Sequence, residues 1–231
     1  YYKVQGYAAD PHLKPEEMRA LELGANCQFS ILNCQLSLWH HHGRNMIDWI
    51  MDTRLGDDAV WQSVNHTRLN SVGLETSAQL SILNSQLSIS YSYIHQAKDL
   101  EAGVVSQYAL EYLRHKLVVG AHIPLLRLPS AASRQESAAP RHGSAVLRRC
   151  RSHLTLDASL RFQDRAGQYT DFDGTANDYS PYALVDARLT WQQPHYDVYL
   201  KADNLLNTRY RDYGLVEQPG RWLIAGFALR L

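Results

Sequence analysis

Residues 154–163 read Leu-Thr-Leu-Asp-Ala-Ser-Leu-Arg-Phe-Gln, with an apolar side chain at every even position and a polar one at every odd position. Successive side chains of a β-strand point to opposite faces, so this alternation predicts a strand with one apolar and one polar face. The same period of two recurs in eight further stretches, at residues 21–29, 34–38, 72–80, 87–93, 117–123, 185–191, 198–202 and 223–231. The sequence therefore predicts nine strands and no amphipathic helix between them.

The overall composition is balanced and leaves two classes of β-protein open. The 231 residues include 23 basic and 23 acidic side chains, so no net field is expected to attract nucleic acid. The sequence contains no run of about 18 consecutive apolar residues, which is the length that would predict a membrane helix. Strands that alternate lipid-facing and lumen-facing residues average to a similar composition. Both a soluble β-protein and a transmembrane β-barrel fit these numbers.

The predicted connections alternate between short and long. Short links are expected around residues 32–33, 83–84 and 192–195, and long polar links at residues 43–70, 96–112, 167–182 and 207–220. All long links then leave from one rim, as the extracellular loops of outer-membrane barrels do. Two stretches, CQFSILNCQLSL at 27–38 and AQLSILNSQLSI at 78–89, also predict the same hairpin turn used twice in a meander.

Residues 124–152 interrupt this regularity. Their position predicts a short turn, yet they are long and rich in Ser, Ala and Arg, which is typical of weakly ordered segments. We interpret them as an atypical turn or insertion within a barrel portion that covers residues 1–231. Cys27, Cys34 and Cys150 are interpreted as small apolar residues, with disulfide pairing left open.

Catalytic and metal-binding motifs are missing from the sequence. It contains no G-x-S-x-G, no H-E-x-x-H and no phosphate-binding glycine loop, so we predict no enzyme, no cofactor and no metal site. His40 and His42 would share a strand face, and Asp171, Asp173 and Asp178 fall in one loop. A polar strand end and a solvated acidic loop are the simpler interpretations of these two groups.

Four motifs, in this order along the chain, carry a resemblance to a known family. Asp10-Pro-His-Leu-Lys-Pro-Glu16 is similar to the N-P-x-L-K-P-E stretch of TonB-dependent receptors, and Asn70-Ser-Val-Gly-Leu-Glu75 resembles their x-G-x-E strand. Asn204-Leu-Leu-Asn-Thr-Arg-Tyr210 resembles their N-L-F-N-x-x-Y motif. Gly220-Arg221 then opens an alternating terminal strand, as in the family. In the order and spacing of these motifs, the sequence most resembles the cobalamin-receptor-like branch of the family.

The resemblance implies an antiparallel, up-and-down transmembrane β-barrel of 22 strands, of which these nine would be the last. It also implies a receptor in the cell outer membrane that captures a scarce metal chelate, cobalamin or similar nutrient and imports it with TonB-derived energy. The expected partners are the lipid bilayer, the nutrient, the TonB complex, and a plug domain and earlier strands that this sequence does not include. Charged residues on the polar strand faces would then line the lumen.

The long-loop rim is the predicted site of nutrient contact, because loops that leave one side converge over one mouth. Its aromatic residues offer large, rigid surfaces with one polar atom, which suits a bulky and partly polar ligand. The predicted contact residues are Trp49, Asp52, Trp61, Tyr169, Asp171, Asp173, Tyr182 and Tyr213.

Two other architectures compete with this one. A soluble β-sandwich that binds carbohydrate or protein would bury the apolar stripes against each other. A small complete barrel of eight to ten strands, such as an outer-membrane hydrolase, would need a nucleophile beside a base on its rim.

Overall fold

A computed structural model describes residues 7–9, 12–98, 103–106, 112–129, 151–171 and 175–230. The elements in these ranges are thirteen strands and one 3-10 helix, Thr53–Asp58. The strands are β1 Tyr7–Ala9, β2 Glu17–Gln28, β3 Leu32–Asp52, β4 Trp61–Ile82, β5 Ser85–Lys98, β6 Val104–Ser106, β7 Tyr112–Pro129, β8 Arg151–Ala166, β9 Gln168–Thr170, β10 Ala176–Asp178, β11 Tyr182–Gln192, β12 Tyr196–Asp203 and β13 Trp222–Leu229.

Nine of these strands form one antiparallel meander, which confirms the predicted all-β fold. Its order is β2-β3-β4-β5-β7-β8-β11-β12-β13, so each strand pairs with its neighbour along the chain in this set. Two short strands add to β3 and β4, with β6 antiparallel to β3 and β1 parallel to β4. β9 and β10 make a separate hairpin. No helix within the described ranges is long and apolar enough to cross a membrane.

The register across the sheet places apolar side chains in continuous rows on one face. Leu156, Leu189 and Leu200 are aligned, and the row ends at Ala225. Leu200 is 56% exposed, and Leu23 at the other end of the sheet is 69% exposed. In a soluble β-sandwich a second sheet would cover such a face. A continuous apolar surface of this kind instead suits contact with lipid, as in a barrel wall.

The opposite face is polar and carries charges of both signs. His122, Asp157, Arg188 and Lys201 follow one another in register across β7, β8, β11 and β12. The side chains of His122 and Asp157 meet at 2.7 Å. Asp157, Arg188 and Lys201 were predicted to line the lumen, and their alignment opposite the apolar rows agrees with that expectation.

Two glycines on the polar face provide space for aromatic rings from the next strand. A Cβ atom at Gly73 would lie 2.1 Å from Trp39 Cε2, and one at Gly226 would lie 2.2 Å from Tyr199 Cζ. Each ring therefore lies directly over a glycine backbone, which covers the strand where it has no side chain of its own.

Several predicted boundaries are wrong. The predicted loop at residues 43–70 is mostly strand, because β3 runs on to Asp52 and β4 already begins at Trp61. A β-bulge between Gly43 and Met46 changes the phase of the alternation. The apolar and polar residues on either side of the bulge therefore do not follow one continuous period of two, and the strand was not recognised in the sequence. Residues 124–129 and 151–152 of the predicted insertion also belong to β7 and β8, while residues 130–150 lie outside the described residues.

The two similar hairpins do not share one turn, contrary to the prediction. In the first, Gln28 pairs with Asn33 and Phe29 N donates to Leu32 O at 2.8 Å, so the turn lies at residues 30–31. In the second, Ile82 pairs with Ser85, so the turn lies at residues 83–84. The position matching residues 83–84 is 32–33, so the turn is displaced by two residues. An even displacement keeps every side chain on its face, so hydrophobic patterning does not choose between the two positions.

Candidate ligand-binding rim

The loop after β12 turns back towards β11, and the side chain of Asn204 holds this turn. Asn204 Oδ1 accepts from Thr208 N at 2.8 Å, and Asn204 Nδ2 donates to Thr208 O at 2.8 Å. Asn204 and Asn207 both have positive φ angles, of 50° and 55°, a conformation that Asn tolerates better than most residues. Thr208 Oγ1 donates to Ala183 O at 3.1 Å. The Asn204–Tyr210 motif is therefore a turn that places Tyr210 beside the start of β11.

Tyr210 meets Tyr182 at this point. Their ring centroids are 4.5 Å apart, with the planes tilted by 37°. Tyr182 Oη donates to Asp212 Oδ1 at 2.8 Å and also contacts the side-chain amide of Gln163. Tyr182 is buried, together with Tyr179, Leu184 and Ala202, and these are the buried apolar residues of the described chain. The best-packed part of the wall thus lies at its long-loop end.

The β9–β10 hairpin adds a second aromatic pair. The ring centroids of Tyr169 and Tyr179 are 5.5 Å apart. Tyr179 Oη accepts from Gly214 N at 2.8 Å, which ties this pair to the loop after β12. Arg165 Cζ lies 5.5 Å from the ring centroid of Tyr213 and 5.9 Å from that of Tyr179, and Arg211 Cζ lies 5.2 Å from that of Tyr169. Guanidinium groups at these distances attract the faces of aromatic rings.

These side chains border a cavity of about 240 Å³. We call them the tyrosine–arginine cluster, which consists of Arg165, Tyr169, Tyr179, Tyr182, Tyr210, Arg211 and Tyr213. The lining of the cavity combines aromatic rings, two guanidinium groups and two carboxylates. Arginine binds planar anions through paired hydrogen bonds, and tyrosine supplies a flat apolar face with one hydroxyl. The arrangement suits a flat ligand with anionic groups. The lining residues are Tyr169, Asp178, Tyr179, Ser180, Pro181, Tyr182, Arg209, Tyr210, Arg211 and Glu217.

The parts of β3 and β4 beyond the bulge after Gly43 form a second feature of the rim, which we call the β3–β4 extension. β3 has 21 residues, about twice what a tilted membrane strand needs. The bulge at its base is held by Asn65 Nδ2, which donates to Asn45 O at 2.7 Å and to Lys14 O at 2.9 Å. Glu16 Oε1 accepts from Ile47 N at 2.8 Å. Residues of the N-terminal motif therefore fix the direction of the extension.

Asp52 ends β3 and caps the following 3-10 helix. Its carboxylate accepts from Arg54 Nε at 2.8 Å and from Arg54 N at 3.0 Å. These hydrogen bonds from Arg54 hold the pKa of Asp52 below its usual value. Gly103 O accepts from Thr53 N at 2.9 Å, so the β5–β7 connection is tied to the same tip.

The predicted contact residues fall into two groups rather than one. Tyr169, Tyr182 and Tyr213 belong to the tyrosine–arginine cluster. Trp49, Asp52 and Trp61 belong to the β3–β4 extension, where they occupy strands and not the predicted loop. β4 and β8 are three strand spacings apart, or about 14 Å along the sheet.

Asp171 and Asp173 are the remaining predicted residues, and Asp171 directly follows β9. Asp171 N donates to Thr175 O at 2.8 Å, between β9 and β10. Asp173 lies outside the described residues. Among the residues that the structure describes, no group of three or more His, Cys, Asp or Glu side chains could hold a metal ion.

Sequence reasoning did not select Arg165, Tyr179, Arg211 or Asp212. Arg165 lies at the end of β8 and the other three lie in loops, so periodicity gives no information about where their side chains converge. Their proximity to the Asn204–Tyr210 motif and to the β9–β10 hairpin is the signal that could have found them.

Comparison with known proteins assigns the family. Residues 1–205 match the family model described as the β-barrel of TonB-dependent receptor-like proteins. The chain belongs to this family. Members of the TonB-dependent receptor family are outer-membrane receptors and transporters rather than enzymes. The family assignment confirms the resemblance found in the four motifs. No curated protein sequence matches the chain.

Solved structures of TonB-dependent receptors share the fold. The FrpB iron transporter from Neisseria meningitidis has a TM-score of 0.65 and 14% identity, over 96% of this chain and 32% of its own. The ferric yersiniabactin uptake receptor FyuA from Yersinia pestis has values of 0.55 and 17%, over 92% and 28%. The copper transporter OprC has values of 0.61 and 12%, over 93% and 31%. The chain spans about a third of the length of these proteins, and identities this low establish the fold alone.

Proposed function

We propose that the chain is a portion of the barrel wall of an outer-membrane receptor that binds a metal chelate at the cell surface for TonB-energised import. Cobalamin, which is itself a metal chelate, falls within this class. The long-loop rim would face the outside of the cell, and the short turns would face the periplasm. The apolar face would contact the lipid bilayer, and the polar face would contact water and a plug domain of the complete receptor.

The tyrosine–arginine cluster is the observation that supports this function most strongly. It brings Arg211 and Tyr169 to one cavity at the rim, with centroid and guanidinium 5.2 Å apart. Metal chelates of the siderophore type present flat rings and anionic oxygens, which match aromatic faces and guanidinium groups. The three similar proteins are named as transporters or receptors for iron, ferric yersiniabactin and copper, which are metals or metal chelates. These names support the ligand class but not a particular chelate.

The β3–β4 extension would supply the second contact. Trp61 begins β4 at its tip, and Trp49 pairs with Ser63 on the neighbouring strand. A ligand that enters the mouth would pass between this extension and the tyrosine–arginine cluster. Asp171, Asp173 and Tyr213 remain proposed contacts on the same rim.

Binding to whole cells that carry the complete receptor tests the proposal. Tyr169→Ala, Arg211→Ala and Trp61→Ala should each weaken the binding of the transported chelate at least about tenfold, since a contact of a few kcal/mol is lost. Trp191→Ala is the matched control, because Trp191 is an aromatic residue on the lipid face near the short turns. The heat-modifiable gel mobility should stay unchanged in all four variants. Unchanged affinity of the three rim variants for ferric chelates, cupric ion and cobalamin would refute the rim assignment.

A further inference from the structure

The β2–β3 hairpin places two cysteines directly opposite each other. Cys27 and Cys34 are cross-strand partners in the register of this hairpin. Phe29 and Leu32 form a hydrogen-bonded pair two positions nearer the turn, so Cys27 and Cys34 are a pair of the same type. The Cα atoms of such pairs are about 5.5 Å apart, which lies within the range that a disulfide spans. Both thiols are free in this structure.

The second hairpin offers an internal comparison. Residues 78–89 repeat residues 27–38 at eight of twelve positions, and the two cysteines are replaced by Ala78 and Ser85. Ala78 does not face Ser85 there. It faces Ile89, because the turn lies two residues further along the repeat. If the first hairpin used the turn of the second, Cys27 would face Leu38 and the strand pairing would slip by four residues.

Hydrophobic patterning does not prevent this slip. A slip of four residues is even, so Leu23, Ala25 and the other apolar residues of β2 would stay on the lipid face. Eight of the twelve residues are also compatible with the other turn, as the second hairpin demonstrates. A covalent bond between Cys27 and Cys34 would exclude the slipped pairing, because those two residues face each other only in the observed register.

We propose that Cys27 and Cys34 form a disulfide bond in the receptor and that this bond fixes the register of the β2–β3 hairpin. The inference rests on the proposed orientation, in which this short turn faces the periplasm, an oxidising compartment. The reaction is exchange with an external disulfide. The Cys27–Cys34 bond forms, the S–S bond of the oxidant breaks, and the two thiol hydrogens leave with the two thiols released from it.

Mass spectrometry of the complete receptor in a Cys150→Ser background tests the bond. Outer membranes are denatured in the presence of an alkylating reagent, without reductant, and digested with trypsin. Both cysteines fall in one peptide, between Arg19 and Arg44. We expect this peptide to carry no label and to lack two hydrogens, and to accept two labels after reduction. A doubly labelled peptide without reduction would overturn the proposal, whether or not the receptor transports its ligand.

Engineered pairs test the register role. In a receptor with Cys27→Ser and Cys34→Ser, the pair Ala78→Cys and Ser85→Cys should stay reduced, whereas Ala78→Cys and Ile89→Cys should become oxidised. A bond between residues 78 and 85 would show that closeness in sequence is sufficient, and it would overturn the register argument. In a Cys34→Ser receptor, Leu38→Cys should form a bond with Cys27 in a detectable fraction of molecules, because the slipped pairing is no longer excluded. No such bond would also overturn that role.

Discussion

Replacement of adjacent residues on β8 separates the two faces of the sheet. Leu160 points to the apolar face, pairs with Val119 and Val185 and is 37% exposed. Ser159 points to the polar face and pairs with Gly120 and Asp186. Both residues lie near the middle of the strand, so they sit at nearly the same depth. Leu160→Arg and Ser159→Arg therefore introduce the same charge at one depth, on opposite faces.

The expected free-energy changes of the two variants differ strongly. An Arg that faces lipid near the bilayer midplane lowers the unfolding free energy by about 2–4 kcal/mol. At position 159 the new guanidinium would have Asp186 beside it and water around it, so we expect a loss below about 1 kcal/mol. Leu189→Arg and Leu200→Arg should resemble Leu160→Arg, because both residues lie in the same apolar rows.

Urea unfolding of the complete receptor in lipid vesicles, followed by heat-modifiable gel mobility, measures the difference. The midpoint for Leu160→Arg should fall well below that of Ser159→Arg, which should stay near the unmodified receptor. Equal midpoints for the two variants would show that the apolar rows do not face lipid. The assignment of the chain to a membrane-spanning wall would then be wrong.

Three further predictions concern local structure. Asn204→Ala removes the two side-chain hydrogen bonds to Thr208 and should lower the stability of this turn by about 1–3 kcal/mol. The loop that follows should then be cleaved faster by protease, and unchanged cleavage would contradict the role of Asn204 in holding the turn. Gly73→Val should displace the Trp39 ring and reduce the heat-modifiable folded fraction, and adding Trp39→Ala should restore it; no rescue would show that the ring is not the cause. Because Arg54 lowers the pKa of Asp52, the contact between the two side chains should persist at neutral pH and be lost only as the pH falls through a value below the usual 3.8. Infrared spectroscopy measures this through the carboxylate signal that is absent in Asp52→Asn. Titration of that signal at or above pH 3.8 would contradict the prediction.

The nine meander strands could be predicted because one physical rule governs them. Each strand faces lipid on one side and water on the other, so period-two alternation recurs in each. Leu154 to Phe162 show this most clearly, and the register of β8 with β7 and β11 follows it. The rule fails at the bulge after Gly43, where an inserted residue shifts the phase, and the predicted loop there is strand instead.

The candidate site was only partly predictable. Tyr169, Tyr182 and Tyr213 were selected because they are aromatic residues in or next to predicted long loops. Their partners Arg165 and Arg211 join them through loop packing and the Asn204 turn, which single-residue patterns do not encode. The turn of the β2–β3 hairpin was misplaced for a related reason, since an even slip leaves the hydrophobic pattern unchanged.

Uptake by whole cells tests the proposed function most directly. Cells that carry the complete receptor and cells that lack it would be supplied with radiolabelled ferric chelates, cupric ion or cobalamin, with and without a protonophore that removes the energy for TonB. The receptor should raise the uptake of at least one of these ligands, and the protonophore should abolish the increase. Equal uptake of every ligand by both strains, or an increase that persists without energy, would contradict the account.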